Sequence, residues 1–236
     1  MNEKFVAQLR ELKEGLNDEQ EQMFEQYYDL LIEWNNKLNL TRITSKAEVY
    51  EKHFLDSIAV TKIISLRKPH KLIDIGTGAG FPGIPLKIMY PELEVLLLDS
   101  LGKRVSFLDE VIKILELKSI RALKGRAEDL ARDTDYRKGY DVAVSRAVAN
   151  LAILSEYNLP FLKLGGSFVA YKSESVSDEL GEAKNAIKTL GGKIQKVEKF
   201  YLPKTNISRT FIIIEKVNET PEKYPRRAGI PEKRPL

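Results

Sequence analysis

Residues 71–83, KLIDIGTGAGFPG, carry an apolar run into four glycines, Gly76, Gly78, Gly80 and Gly83. Glycines that follow a strand and open a helix let the backbone turn tightly and approach a ligand closely beside a helix N-terminus. Outward from this point, short apolar runs alternate with amphipathic stretches. EVLLLD (94–99), IRALKG (120–125), YDVAVSRA (140–147) and SFVAYK (167–172) read as strands, and 84–89, 103–117 and 178–190 as helices. KIQKVEKFYL (193–202) and TFIIIEKV (210–217) lie too close for a helix between them, which predicts an antiparallel pair. Strand–helix alternation with right-handed crossovers gives a Rossmann-like α/β fold. Its sheet has seven strands, five of them parallel, and closes on an antiparallel C-terminal hairpin.

The first 66 residues show no strand. Phe5, Leu9 and Leu12 have helical spacing and Gly15 stops that segment. Asn17 with Gln20 forms a capping-box pattern ahead of a stripe of Met23, Tyr27, Leu30, Ile32, Trp34 and Leu38. Ser45 with Glu48 repeats the pattern before EVYEKHFLDSIAVTKIIS. The organisation expected is an N-terminal helical subdomain over 1–66, an α/β domain over 67–220 and a basic tail over 221–236. Pro225, Pro231 and Pro235 bar that tail from a regular helix or central strand. It is either solvated or a polyanion contact.

The chain has 236 residues, 43% of them hydrophobic and 31% charged, which excludes disorder or a fibre. Absence of cysteine excludes a disulfide scaffold, thiolate zinc sites, iron–sulfur clusters and a thiol nucleophile. With only His53 and His70 besides, no metal centre is expected. No apolar run approaches the ~20 residues of a membrane span, and the charged N-terminus is no secretory signal, so a cytoplasmic protein without membrane contact is expected. The net charge of +4 hides a gradient: residues 1–30 sum to −5, with eight acids and three bases, and 222–236 to +3, with five bases and two acids.

Two readings compete for the glycine loop. Gly78, Gly80 and Gly83 satisfy the dinucleotide pattern G-x-G-x-x-G. Asp74 with Gly76, Gly78 and Gly80 gives D-x-G-x-G-x-G, the pattern of S-adenosylmethionine (SAM) methyltransferases. In either, Asp99 closes the next strand 23 residues after Gly76, and its carboxylate suits a ribose diol. The second is favoured, because Asp74 would attract the cationic methionine end of SAM and repel a pyrophosphate. The closing hairpin, and too little chain for a hydride-acceptor domain, point the same way. No Gly-Lys-Ser/Thr follows the glycines, which excludes a Walker A loop.

Elimination narrows the acceptor. Pyrimidine C5 methylation needs a cysteine nucleophile. Exocyclic amine methylation uses an Asn/Asp-Pro-Pro-aromatic turn after the fourth strand, where this chain has Ser145-Arg146-Ala147; Asn158-Leu159-Pro160-Phe161 falls a helix later and lacks the second proline. Acceptors with a free lone pair remain, such as guanine N7 or a small-molecule amine. Guanine N7 requires no general base, so no catalytic dyad is expected. Arg146, at the carboxyl end of a central strand, would hold either the SAM carboxylate or the guanine O6 and a phosphate. The backbone of Ala127 and Glu128, after the third strand, would read an adenine edge.

The chain resembles the bacterial glucose-inhibited division protein B family, the small-subunit ribosomal RNA guanine-N7 methyltransferases. The resemblance rests on Trp34-Asn35, Asn39-Leu40-Thr41, His53-Phe54-Leu55-Asp56-Ser57, Gly76 to Gly83, and Asp99-Ser100-Leu101 with Lys103-Arg104. It continues through Arg126-Ala127-Glu128, Ser145 to Ala149 and Tyr224 to Pro231. It implies a class I SAM-dependent methyltransferase fold and formation of 7-methylguanine in the decoding region of 16S ribosomal RNA. By matching position it assigns Gly76, Phe81, Ala127, Glu128 and Arg146 to the cofactor; Gly78 and Asp99 join them on the physical argument. Arg226, Arg227, Lys233 and Arg234 are candidate phosphate contacts. His53 and Asp56 are expected as a buried hydrogen-bonding pair, Lys103 and Arg104 as basic helix surface, and Tyr27, Tyr28 and Trp34 as core. The expected form is a monomer acting on 16S ribosomal RNA, alone or within the small subunit. The alternatives are a small-molecule methyltransferase with an inert tail and an NAD-binding module.

Overall fold

The computed structural model describes residues 3–68, 70–146, 149–172 and 176–236. Ala147 and Val148, part of the expected Ser145–Ala149 motif, lie outside the described residues.

Two helices come first, α1 (Glu3–Glu11) and α2 (Asp18–Leu38). The capping box at α2 forms as expected: the Gln20 N–H donates to Asn17 Oδ1 at 2.8 Å and the Asn17 N–H to Gln20 Oε1 at 3.1 Å. The buried stripe is Phe24, Tyr27 and Leu31, a rotation from the expected Met23, Leu30 and Trp34, which sit at its flanks. Gln20 fixes that rotation by donating its side-chain amide to the Ile88 carbonyl at 2.9 Å. The second expected box does not close. Ser45 Oγ donates to the Glu48 carboxylate at 3.0 Å and leaves the backbone uncapped. The segment after it is no single helix but α3 (Lys46–Val49), a π-helical stretch Tyr50–Leu55, α4 (Asp56–Ile58) and a 3-10 turn Ala59–Lys62.

The α/β part runs β1 (Lys71–Ile75), α5 (Gly83–Met89), β2 (Glu94–Asp99), α6 (Gly102–Ile114), β3 (Ile120–Lys124), α7 (Ala127–Leu130), β4 (Tyr140–Arg146), α8 (Leu151–Asn158), β5 (Leu162–Lys172), α9 (Ser177–Thr189), β6 (Gly192–Tyr201) and β7 (Ser208–Lys216). A short α10 (Ile230–Lys233) lies in the tail. The sheet order is β3-β2-β1-β4-β5-β7-β6; β1 to β5 are parallel and β7 runs antiparallel between β5 and β6. β5 begins at Leu162, so Gly165 and Gly166 lie inside it, and a register shift between Tyr140 and Val142 absorbs them.

Strand alternation feeds two cores, one on each face. Leu72, Val95 and Leu97 face the N-terminal helices, α5 and α6, while Ile73, Ile75, Leu96 and Leu98 face α8 and α9. The first core draws Phe5, Phe24, Tyr27, Tyr50 and Phe54 onto Phe81 of the glycine loop, so residues 1–66 share a core with the sheet. Gln8 Nε2 also donates to the Pro203 carbonyl at 3.0 Å, 195 residues away. The tail is seated rather than solvated. Tyr224 is buried, Arg137 donates to its carbonyl at 2.9 Å, and Arg132 donates to the Pro225 carbonyl at 2.6 Å. Among the described residues no helix is long and apolar enough to cross a membrane.

Candidate cofactor cleft

The loop after β1 turns on positive φ at Gly76 (71°), Gly78 (63°) and Gly80 (94°), backbone that side-chain-bearing residues rarely adopt. The Gly76 and Thr77 N–H groups donate to the Leu98 carbonyl at 2.9 and 3.1 Å, which holds the turn against β2. A Cβ on Gly78 would meet no atom within 4 Å, so this backbone is open to a ligand. At Gly83 a Cβ would lie 2.3 Å from Leu97 Cδ2 and 2.9 Å from Asp74 Oδ2, so this glycine serves packing of α5 on the sheet. Close helix–strand packing is also the task of the third glycine in the dinucleotide pattern. The glycines therefore leave both registers open, and the antiparallel β7 decides for the methyltransferase one.

Asp74 is buried beneath the loop. Its Oδ2 accepts from Thr77 Oγ1 at 2.7 Å and from the Gly83 N–H at 2.8 Å, while Oδ1 is buried with no hydrogen-bond partner. Burial pushes the carboxyl up to about 6, against the opposing pull of those two bonds and of Arg146. An orphaned carboxylate oxygen under a ligand-facing loop fits a cationic donor such as the ammonium of SAM.

Beside the loop, at the carboxyl ends of β1, β2 and β3, opens a cleft of about 280 Å³. Gly76, Asp99, Ala127 and Glu128 line it as expected, joined by Tyr157 and Glu232. Asp99 is buried, and the Leu101 N–H (2.9 Å), the Gly78 N–H (3.0 Å) and Arg104 Nη1 (3.2 Å) orient its carboxylate. A carboxylate offers about four lone-pair sites, which leaves capacity for a ribose hydroxyl. Arg104 is thus a cleft residue rather than plain helix surface, whereas Lys103 is exposed.

Gly78, Phe81 and Arg146 do not line this cleft; Gly78 meets it only through its N–H on the Asp99 carboxylate. The register Asp74↔Val144 carries Arg146 to the strand end next to Gly76, and its side chain turns toward the N-terminal helices. Arg146 Nη1 donates to Asp56 Oδ2 at 2.9 Å and to the Lys52 carbonyl at 3.2 Å, and Nη2 lies 3.3 Å from His53 Nδ1. The guanidinium sits 5.1 Å from the Phe81 ring centre, on which His53 stacks at 4.6 Å. Asp56 Oδ1 accepts from Arg209 Nε at 2.7 Å. Burial, then Arg146, push the His53 pKa down to about 3. The imidazole is therefore neutral; Nδ1 accepts from Arg146 and Nε2–H donates to Thr41 Oγ1 at 2.9 Å. Asp56 is buried as expected and His53 half-buried, but they meet through Arg146 and not each other. Reading of the sequence missed Arg209, which lies 153 residues from Asp56, Tyr157, which α8 carries to the cleft, and Glu232, which only the seated tail brings there.

Arg226, expected on phosphate, is committed inside the protein. Its Nε and Nη2 reach the Glu156 carboxylate at 3.0 and 2.6 Å, and Nη1 donates to the Arg234 carbonyl at 2.7 Å. Glu156 is almost fully buried and needs a cationic partner there, which is the physical reason for the difference. Arg227, Lys233 and Arg234 are exposed.

A family model described as rRNA small subunit methyltransferase G matches residues 20–208. The ribosomal RNA small subunit methyltransferase G of Lachnoclostridium phytofermentans is 54% identical over 235 residues, spanning 100% of this chain and 97% of the relative. That of Brevibacillus brevis is 48% identical over 234 residues, spanning 99% and 98%. Among solved structures, a SAM-dependent methyltransferase from Aquifex aeolicus superposes with a TM-score of 0.57 at 18% identity, covering 76% of this chain and 97% of that one. M. jannaschii TYW2, solved in complex with AdoMet, gives 0.55 at 17% identity, covering 75% and 80%. Likeness at that identity bears on the fold alone.

Proposed function

The chain belongs to the rRNA small subunit methyltransferase G family, and from that premise we propose that it methylates N7 of a guanine in the decoding region of 16S ribosomal RNA. It is an enzyme with a SAM-dependent methyltransferase fold. The observation that carries the reading is the cleft at the carboxyl ends of β1 to β3, lined by Gly76 of the glycine loop and by Asp99, whose carboxylate the Gly78 N–H orients.

Bound SAM supplies an electrophilic methyl group on a sulfonium. Asp99 would hold the ribose diol, the Ala127 and Glu128 backbone the adenine edge, and Asp74 with Arg146 the charged methionine end. Guanine N7 carries no proton, so the protein's task is to align the lone pair and exclude water. The neutral His53, bonded on both ring nitrogens, has no free site for a general base and serves to place Arg146 over Phe81. We propose a cytoplasmic monomer acting on the small subunit rather than naked RNA, because a net charge of +4 is low for gripping a bare polyanion.

Transfer of labelled methyl from SAM to under-methylated small subunits, followed by borohydride–aniline cleavage, tests this reading. Label at one cleavable guanine is expected. Label without cleavage would overturn the N7 assignment, and no label despite SAM binding would favour a small-molecule acceptor.

A further inference from the structure

The tail that seats on α8 continues into the wall of the cofactor cleft. Arg226 and Glu156 anchor it, as described above. At Gly229, with φ of 80° and open space around a would-be Cβ, the chain turns back, and its N–H donates to Glu128 Oε1 at 3.0 Å. One turn further, Glu232 reaches the cleft, where Tyr157 Oη donates to its Oε1 at 3.3 Å. Burial raises the Tyr157 hydroxyl, and the Glu128 and Glu232 charges raise it further, which agrees with both carboxylates lying close to that hydroxyl.

The chemistry of this corner is that of an acceptor. A carboxylate accepts hydrogen bonds and donates none. Asp99 and the glycine loop occupy the ribose end, so the base of an adenosyl ligand extends toward α7 and the tail. On its hydrogen-bonding edge adenine offers one donor group, the exocyclic amine. A glutamate in the cleft would repel RNA phosphate, so this end of the tail is suited to the cofactor even though Arg227, Lys233 and Arg234 beside it are cationic.

We propose that Glu232 accepts a hydrogen bond from the exocyclic amine of the cofactor's adenine, making the C-terminal segment a specificity-determining wall of the SAM site. This rests on the SAM reading above. It assigns the seated tail a role in base discrimination, separate from any phosphate contact.

Calorimetric titration of the full chain with S-adenosylhomocysteine and with S-inosylhomocysteine, in which a carbonyl oxygen replaces the amine, tests it. The wild type is expected to prefer the adenosyl ligand, and Glu232→Gln and Glu232→Ala to lose about tenfold of that preference. Glu232 is exposed and its loss spares the anchor at Arg226, so both variants keep the wild-type melting temperature. An unchanged adenosyl-to-inosyl ratio in both variants overturns the proposal. A wild type that binds neither ligand overturns the SAM reading itself, and this inference with it.

Discussion

At Gly83 the space for one methyl group decides whether α5 can lie on the sheet. A Cβ there would fall 2.3 Å from Leu97 Cδ2 and against the Asp74 carboxylate, both buried. Gly83→Ala is expected to cost about 1–3 kcal/mol through overpacking and to displace the acceptor of the Thr77 and Gly83 bonds. A fall in urea midpoint together with weakened S-adenosylhomocysteine binding checks both. His53 gives a pH prediction. Its folded pKa of about 3 lies below the ordinary 6.5, so the unfolded chain takes up a proton first as pH falls, and stability drops below pH 6.5. Asp74 runs the other way: raised to about 6, it is protonated first in the folded state and stabilises the fold on acidification through that value. From pH 7.5 to 5.5 the histidine contribution, about 1.4 kcal/mol lost, exceeds the opposing carboxyl contribution of just under 1. The wild type should therefore weaken over that interval. His53→Asn, keeping only the Asp74 effect, should hold level or strengthen. Urea midpoints at the two pH values decide, and parallel slopes would refute it.

At the scale of elements, the π-helical stretch and α4 meet β4 and β7 at a single carboxylate. Asp56 binds Arg146 and Arg209 at once with its side chain 4% exposed. Asp56→Ala leaves two largely buried guanidiniums without their carboxylate and should cost about 3 kcal/mol; a loss under about 1 kcal/mol in urea titration would show that their remaining bonds, to the Lys52 and Ser208 carbonyls and to His53, suffice. Tyr27 joins α2 to the glycine loop by donating to the Ala79 carbonyl at 2.5 Å. Tyr27→Phe is expected to weaken S-adenosylhomocysteine several-fold in calorimetry while costing only about 1 kcal/mol of stability. Much of this was legible in the sequence. The strands from 71 to 99 and the glycine loop announce themselves through period and turn chemistry, and Asn17 with Gln20 through a local hydrogen-bond pattern. The rotation of α2 was not legible, because Gln20 sets it by reaching the Ile88 carbonyl, 68 residues on. The π-helical stretch was also hidden, since Tyr50 to Leu55 carry an ordinary helical composition. Asp99 and Ala127 were readable as cleft residues from their places at or after strand ends, whereas Glu232 has no motif and reaches the cleft only through the Arg226–Glu156 anchor.

At the scale of the molecule, charge is arranged rather than abundant. With Arg226 turned inward, the exposed cations that follow it in the tail are Arg227, Lys233 and Arg234. Replacing all three by alanine should lower the slope of log affinity against log salt by about 2, at roughly 0.7 per phosphate on single-stranded RNA. Filter binding to small subunits across a salt series measures it, and an unchanged slope would place the phosphates elsewhere. The bond between Gln8 and the Pro203 carbonyl carries a consequence for how the protein is made. Helices α1 and α2 are made before the sheet, and their aromatic face closes on Phe81 only once β1 and its loop exist, and on the β6–β7 turn later still. Such distant contacts slow folding, and domains of this size are exposed to aggregation while incomplete. Until then Phe5, Phe24 and Phe54 have only one another to pack on, so this helical segment is where a chaperone would hold the nascent chain.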